Sequence, residues 1–190
     1  MATAWLVVGL GNPGPAYART RHNVGYMTVD DLVRRAGARW KKARFVRAEV
    51  ATITLANAEV ILAKPLTYMN LSGDAVAPLV RSRRVPLDHV VVVHDEIDLA
   101  VGGLRVKLGG GDNGHNGLRS IRARLGSGDF YRVRLGVSRP AGDGDPVDWV
   151  LGKFRASESE DVKLLIGEAG DAVESLIRGG LAETQNRYNR

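Results

Sequence analysis

Short apolar runs alternate along the chain with segments in which apolar residues recur at helical spacing. The apolar runs predict strands over residues 5–10, 49–55, 60–63, 89–93, 104–107 and 131–137. The helical spacing predicts helices over residues 24–35, 72–83, 114–125, 157–167 and 169–177. Strands that alternate with helices are typical of an α/β fold. We therefore expect a single three-layer α/β/α domain over residues 1–190, with a twisted mixed sheet flanked by helices.

Three local signals refine this prediction. The valines from Val90 to Val93 form an uninterrupted β-branched run, which is typical of a strand covered on both faces. Ser157 is a preferred N-cap residue, and the acids Glu158 and Glu160 suit the first turn of a helix, so we expect a helix to begin there. The glycines, aspartates and proline of residues 142–146 predict a surface loop.

The composition is that of an ordinary globular chain with a basic surplus. Hydrophobic residues make up 44% and charged residues 25% of 190 positions, enough for one domain with a sizeable core. The absence of cysteine excludes a disulfide framework and a thiolate nucleophile. No apolar run approaches the ~20 residues that span a bilayer, and no signal peptide is evident, so we expect a soluble, cytoplasmic protein without a membrane partner. The net charge of +6 suggests a polyanionic partner such as nucleic acid.

A glycine-rich tract over residues 9–14 follows the first predicted strand and fits the G-x-G-x-x-G pattern of dinucleotide sites. In such sites the glycines open a helix whose free N–H groups face a pyrophosphate. Pro13 and Pro15 each lack a backbone N–H, which weakens this interpretation. The loop instead presents Asn12 and His22. A nucleotide-dependent enzyme is nevertheless one alternative at this point.

Three acids, Asp95, Glu96 and Asp98, follow the four-valine strand. Clustered carboxylates could bind Mg²⁺ for phosphoryl transfer, or one of them could orient a histidine. An acidic turn in water is the third interpretation. With only four histidines and no cysteine, a closed zinc site is disfavoured.

Two further loops precede predicted helices at the carboxyl ends of strands, where open α/β sheets place their ligands. In one, Tyr68 and Met69 offer an apolar platform and Asn70 offers amide donors and an acceptor, although Asn70 also suits a helix start. In the other, a run of glycines should leave His115 and Asn116 exposed. A common sheet edge would bring together Asn12, His22, Asn70, Asp95 and Asn116.

Several short motifs follow one another along nearly the whole chain. They are GLGNPG at 9–14, TRHN at 20–23, KP at 64–65, TYMN at 67–70, SG at 72–73, HD at 94–95, GHNGLRS at 114–120, RLGV at 134–137, RP at 139–140 and VLGKF at 150–154. Together they resemble the bacterial peptidyl-tRNA hydrolase family. The resemblance implies hydrolysis of the ester between peptide and tRNA, recycling tRNA from prematurely released peptidyl-tRNA without a metal or cofactor. Asn113 and Ser138 stand where the family has glycine more often.

The resemblance also implies a role for each polar site residue. His22 resembles the general base, and Asp95 resembles the residue that holds the imidazole through its other nitrogen. Asn70 and Asn116 resemble residues that hold the peptide end and the reacting water. Asn12 resembles the residue that distinguishes peptidyl-tRNA from free aminoacyl-tRNA.

The remaining implied contacts lie around the ester and the tRNA. Tyr17, Tyr68, Met69 and His115 resemble residues that contact the peptide or tRNA. Candidate phosphate contacts near the acceptor stem are Lys107, Arg119, Arg122 and Arg134. The family further implies a monomer without an obligate protein partner. The alternative is a splicing-type relative that binds RNA without hydrolase activity, which the intact polar site residues oppose.

Overall fold

Residues 2–189, which the computed structural model describes, contain a seven-stranded mixed sheet. Its strands are β1 (Trp5–Gly9), β2 (Lys41–Lys42), β3 (Ala48–Leu55), β4 (Ala58–Pro65), β5 (Val90–Glu96), β6 (Leu104–Leu108) and β7 (Tyr131–Gly136). Their order across the sheet is β2-β3-β4-β1-β5-β7-β6. The four central strands β4, β1, β5 and β7 run parallel, whereas β2, β3 and β6 join as antiparallel neighbours.

Helices cover both faces of the sheet. They are α1 (Val24–Arg35), α2 (Ser72–Ser82), α3 (Asn116–Leu125), α4 (Pro146–Val150), α5 (Ser159–Gly179) and α6 (Leu181–Tyr188). Apolar residues of α1 and α5 belong to one core cluster and those of α2 and α3 to the other. The predicted three-layer α/β/α arrangement is therefore confirmed. None of these helices is long and apolar enough to cross a membrane.

The two cores are separated by the alternation of side chains along the central strands. In β5, Val91 and Val93 belong to the core beneath α1 and α5, whereas Val90 and Val92 belong to the core beneath α2 and α3. All four valines are fully buried, as their uninterrupted run predicts.

Gly9 of the first motif and Gly25 of α1 allow α1 to lie directly on β1 and β5. A Cβ atom on Gly9 would lie 2.3 Å from the carbonyl oxygen of Gly25, and one on Gly25 would lie 2.3 Å from that of Val93. The first turn of α1 is also occupied, because the backbone N–H of Tyr26 donates to the carbonyl of Leu10. These glycines therefore serve close packing, and the dinucleotide interpretation of the tract receives no support from its geometry.

Two predictions about the C-terminal helices were wrong. The helices predicted over 157–167 and 169–177 form the single helix α5, because its interior glycines lie against α1. Arg35 donates to the carbonyl oxygen of Gly167, and a Cβ on Gly170 would lie 3.1 Å from the side chain of Leu32. Helix α5 begins at Ser159 after a 3₁₀ turn and not at Ser157.

The carboxyl ends of the parallel strands define one edge of the sheet. The register aligns Gly9 with Val93 and Glu96 with Gly136, so the chain leaves β1, β5 and β7 on the same side. Strand β4 runs parallel to β1 and ends at Pro65 on this side as well. Ligands of open α/β sheets bind at this edge, and Asn12, His22, Asn70, Asp95 and Asn116 lie there.

Candidate active site

Asp95 lies between two imidazole rings at the end of β5. Its Oδ2 atom is 2.8 Å from Nδ1 of His22, which belongs to the 3₁₀ turn Arg21–Asn23 before α1. Its Oδ1 atom is 2.7 Å from Nε2 of His115, the residue that precedes α3. Asp95 is only 2% exposed, so the two rings replace the water that an ionised carboxylate would otherwise bind.

The hydrogen bonds determine which nitrogen of each ring carries the proton. Nδ1 of His115 accepts from the backbone N–H groups of Gly117 and Leu118, at 3.1 and 3.3 Å, and thereby caps α3. Because Nδ1 of His115 is an acceptor, its Nε2 must be the donor to Asp95. Nδ1 of His22 likewise donates to Asp95, which leaves Nε2 of His22 as a free acceptor.

Charge and burial act in opposite directions on these groups. Burial alone would lower the pKa of His22, but the charge of Asp95 and its hydrogen bond outweigh burial and raise that pKa above its usual value. Burial opposes ionisation of Asp95, yet His22 and His115 hold its pKa well below the usual range. Burial, followed by the proximity of His115, lowers the pKa of His94 to about 3. His94 therefore stays neutral, with its Nδ1 2.8 Å from the carbonyl oxygen of Asp95.

Three of these side chains have possible ligand atoms that lie close enough together to suggest a metal site. Those of His22, Asp95 and His115 lie within 4.8 Å of one another. A metal at Nε2 of His115 would require the proton to move to Nδ1, where two backbone N–H groups already donate. The residues therefore fit a hydrogen-bonded relay better than a metal ion.

The acids of the possible Mg²⁺ cluster are already hydrogen-bonded to other side chains of the protein. Asp95 is occupied by the two imidazoles. Glu96 accepts from Asn113 at 2.5 Å and lies 3.7 Å from Arg134. Asp98 accepts from Asn113 and Arg139 at 2.7 Å each. Glu96 and Asp98 thus meet at the amide nitrogen of Asn113, whereas Asp95 faces the imidazoles, so this geometry gives no support to the magnesium interpretation.

The amide of Asn12 is held in one orientation. Its Oδ1 accepts from the backbone N–H of Met69 at 2.7 Å. Its backbone N–H donates to Oδ1 of Asn23, and Nδ2 of Asn23 donates to its carbonyl, at 2.8 and 2.9 Å. Because the oxygen of the side chain is engaged, the Nδ2 group is the one available as a donor. Asn12 is 6% exposed, so the loop holds this residue more deeply than the sequence suggested.

A cavity of about 270 Å³ opens over the paired histidines. Eight of the predicted site residues line it: Asn12, His22, Tyr68, Met69, Asn70, Asp95, His115 and Asn116. Tyr17 stands outside this lining, and its ring meets that of Tyr68 edge to face with centroids 6.5 Å apart. The prediction that one sheet edge brings these loops together is therefore confirmed for the lining residues.

One wall of the cavity was missed by the sequence analysis. Pro146, Val147, Val150 and Leu151 of α4 and its C-terminal end form an apolar side. The signal was present, since Asp145 caps this helix by accepting from the N–H of Val147 and a proline occupies its first turn.

The α4 wall is tied to the turn that carries His22. The guanidinium carbon of Arg21 lies 3.6 Å from the ring centroid of Trp149, and its Nη1 donates to the Trp149 carbonyl at 3.1 Å. The indole N–H of Trp149 donates in turn to the carbonyl of Ser138 at 2.7 Å. Arg21 itself is only 4% exposed.

The fold, the ordered motifs and this cavity can be compared with known proteins. A family model described as peptidyl-tRNA hydrolase matches residues 6–190. The chain belongs to the peptidyl-tRNA hydrolase family.

Individual family members are similar over almost their whole length. The peptidyl-tRNA hydrolase of Frankia alni is 54% identical over 185 residues, which cover 97% of this chain and 93% of that protein. That of Cutibacterium acnes is 52% identical over 199 residues and is covered completely. The crystal structure of peptidyl-tRNA hydrolase from Acinetobacter baumannii matches with a TM-score of 0.92 at 34% identity, covering 100% of this chain and 96% of that one. A 5'-methylthioadenosine nucleosidase from Arabidopsis thaliana, with a TM-score of 0.54 at 8% identity, shares the fold alone.

Asn113 and Ser138, where the resemblance led us to expect glycine, adopt backbone angles that favour glycine. Asn113 has φ 50° and Ser138 has φ 64°, in the left-handed region where glycine avoids strain. At Asn113 the side chain offsets the strain, because its amide group donates to Glu96 and Asp98.

One expectation about exposure was wrong. His115 is 9% exposed and faces Asp95, whereas the glycine-rich sequence before it predicted an exposed side chain. Its ring is drawn inward because it both caps α3 and contacts Asp95. Asn116, the first residue of α3, is exposed as expected.

The four candidate phosphate contacts differ in their surroundings. Arg119 and Arg122 lie 3.6 and 3.3 Å from the carboxylate of Asp112. Arg134 is paired with Glu96. Lys107 makes no ion pair with another described residue, and burial, followed by Arg134 and Arg132, lowers its pKa.

Proposed function

We propose that this chain hydrolyses the ester between peptide and tRNA in peptidyl-tRNA, with His22 as the general base that activates water. The supporting observation is the 2.8 Å contact between Nδ1 of His22 and Oδ2 of Asp95 beneath the cavity. This contact leaves Nε2 of His22 unprotonated, so the ring can accept a proton from water.

The reaction follows from the position of these groups. Water attacks the ester carbonyl as its proton moves to Nε2 of His22, and the carbonyl becomes a tetrahedral oxyanion. Asp95 stabilises the resulting imidazolium and keeps the ring in place. The bond from carbon to the ribose oxygen then breaks, and the proton passes from His22 to that oxygen. The products are a free peptide carboxylic acid and tRNA, and no covalent intermediate with the enzyme is needed.

Three asparagines supply neutral hydrogen bonds around the reacting carbonyl. We assign Asn70 and Asn116, which line the cavity, to the peptide end and the attacking water. Either amide can donate to the developing oxyanion. We assign Asn12 to recognition of a peptide carbonyl, because its Nδ2 group is the donor that Met69 leaves available. The free α-ammonium group of aminoacyl-tRNA is itself a donor, so it cannot accept from the Nδ2 group of Asn12. This mismatch disfavours binding of aminoacyl-tRNA.

The tRNA is held by charge outside the cavity. We assign Lys107, Arg119, Arg122 and Arg134 to phosphates near the acceptor stem, and Tyr17 and Tyr68 to contacts beside the ester. Phosphate contacts carry little sequence information, which suits an enzyme that accepts many tRNAs. We further propose that the enzyme acts as a cytoplasmic monomer without cofactor or obligate protein partner.

A single assay separates this proposal from its alternatives. Incubation with N-acetyl-aminoacyl-tRNA in EDTA should release the N-acetyl amino acid and intact tRNA. Binding without ester cleavage would instead favour a splicing-type RNA-binding role. A requirement for nucleotide or divalent metal would overturn the metal-independent mechanism.

A further inference from the structure

A basic turn includes β2 and the loop that joins β2 to β3. Residues 39–47 contain five cations, Arg39, Lys41, Lys42, Arg44 and Arg47, and no acid. All five are exposed, and none forms an ion pair with another of the residues that the structure describes. Arg119, Arg122 and Arg134, by contrast, each have an acidic partner. Residues 39–47, here the basic turn, therefore carry positive charge that the fold itself does not neutralise.

An aromatic residue stands at the tip of the basic turn without packing against the protein. Phe45 is 94% exposed, the highest value among the exposed large hydrophobic residues. Its φ of 63° is in the left-handed region, which is unfavourable for an aromatic side chain. Its ring contact is with Arg44, whose guanidinium carbon lies 5.2 Å from the ring centroid. Neither burial nor backbone preference accounts for phenylalanine at this position.

The basic turn lies at the same edge of the sheet as the cavity. Ala48, the first residue of β3, is paired with Pro65, the last residue of β4. The carbonyl of Arg47 accepts from the N–H of Leu66 at 2.8 Å. Leu66 is two residues from Tyr68, which lines the cavity, so these two Cα atoms are at most about 7 Å apart.

We propose that the basic turn binds unpaired nucleotides at the 3′ end of the substrate RNA, next to the ester. Phe45 stacks on an exposed base, and Arg44, Arg47 and the lysines of β2 contact the adjoining phosphates. Single-stranded nucleic acid is commonly bound by this combination of aromatic side chains and cations, without sequence preference. The inference rests on peptidyl-tRNA as substrate but not on the roles of His22 and Asp95.

Equilibrium binding tests this proposal without relying on catalysis. The probes are a short RNA stem-loop with an unpaired 3′ extension and the same stem-loop with a blunt end. Phe45→Ala should weaken binding of the extended RNA by about 5- to 150-fold and leave binding of the blunt RNA unchanged. The double variant Arg44→Gln/Arg47→Gln should reduce the slope of log affinity against log salt by about 1.4, as expected for two single-strand phosphate contacts.

Matched variants elsewhere control for general effects of charge and apolar area. Leu164→Ala removes an apolar side chain that is 65% exposed on α5. Arg83→Gln/Arg84→Gln removes two exposed cations after α2, at the opposite edge of the sheet. Both variants should bind the extended RNA like the unaltered protein.

Stability provides an independent readout for Phe45. Phe45→Gly should raise the melting temperature, because glycine adopts this φ without strain, and should weaken binding of the extended RNA. A lower melting temperature would show that Phe45 serves the fold and would overturn the proposal. Equal loss of affinity for both RNAs, or no loss at all, would also overturn it. The proposal would also be overturned if Phe45→Ala weakened binding to vesicles of phosphatidylcholine and phosphatidylglycerol but left binding to both RNAs unchanged. The basic turn would then bind membranes.

Discussion

Nδ1 of His22 lies 2.8 Å from Oδ2 of Asp95, although the two residues are 73 positions apart in the chain. The contact forms because β1 and β5 are adjacent in the sheet and the chain leaves both at the same edge. It gives a neutral imidazole one protonated nitrogen facing a carboxylate and one free nitrogen. This arrangement is the basis of the predictions on catalysis.

Loss of the proposed base should abolish most turnover. We expect His22→Ala to lower kcat by about 10²- to 10⁴-fold, because a positioned base contributes that much to proton transfer. Single-turnover hydrolysis of N-acetyl-aminoacyl-tRNA measures the effect. His89→Ala, which alters a histidine stacked on Trp5 and distant from the cavity lining, is the matched control. Near-normal hydrolysis by His22→Ala would remove this residue from the role of base.

The pH dependence of kcat/KM should report the raised pKa of His22. Only the neutral imidazole can accept a proton, so activity should fall as pH drops through that pKa, with a midpoint above about 6.5. Asp95→Asn removes the charge that raises the pKa and leaves burial unopposed, so the midpoint should move downward while kcat falls. An unchanged midpoint in Asp95→Asn would contradict the coupling between the two residues.

Selectivity should depend on the amide donor of Asn12. In Asn12→Asp, one carboxylate oxygen can still accept from the N–H of Met69, while the other places negative charge where the Nδ2 donor stood. We expect this variant to discriminate less between N-acetyl-aminoacyl-tRNA and free aminoacyl-tRNA, because the charge attracts the α-ammonium group. Asn12→Ala, which removes the donor without adding charge, should relax selectivity less. An unchanged ratio of the two kcat/KM values in both variants would assign discrimination to other residues.

Stability at mildly acidic pH should depend on His94. Because its pKa is about 3 in the folded protein, this ring stays neutral while its counterpart in the unfolded chain takes up a proton below about pH 6.5. The contribution of the neutral His94 ring to the free energy of unfolding is fully present above that pH. It is lost as pH falls, at up to about 1.4 kcal/mol per pH unit. We expect His94→Asn to show a flatter decline of unfolding free energy between about pH 6 and 4 in urea titrations. A slope identical to that of the unaltered protein would refute this assignment.

Much of the fold could be predicted where the periodicity of the sequence was unambiguous. The helix predicted over 24–35 is α1, and the four valines form the buried centre of β5. Helix α6 was not predicted, because its only fully buried residue, Thr184, is polar, so no run of buried apolar residues marks its inner face. The break predicted between residues 167 and 169 does not occur, because Arg35 and Leu32 of α1 contact Gly167 and Gly170 inside α5.

The contact between His22 and Asp95 and the gathering of five polar residues at one sheet edge were predicted, whereas the contacts of His115 were not. His22, Asp95 and Asn12 were identified through family motifs, since contacts between distant segments depend on strand order, which periodicity does not reveal. The inward position of His115 was missed because glycine content predicts an open loop, whereas the ring is held by α3 and Asp95. Helix α4, which forms the apolar wall, could have been predicted from the capping signal of Asp145 and Pro146.

The contact between Arg21 and Trp149 couples two parts of the molecule that a designer of inhibitors would otherwise treat separately. Arg21 precedes His22 in the chain, and Trp149 belongs to the helix whose Val147 and Val150 face the cavity. A compound that wedged this helix outward would pull on the indole and, through the guanidinium, on the backbone next to the imidazole. Such a compound would displace the imidazole without occupying the place of the ester.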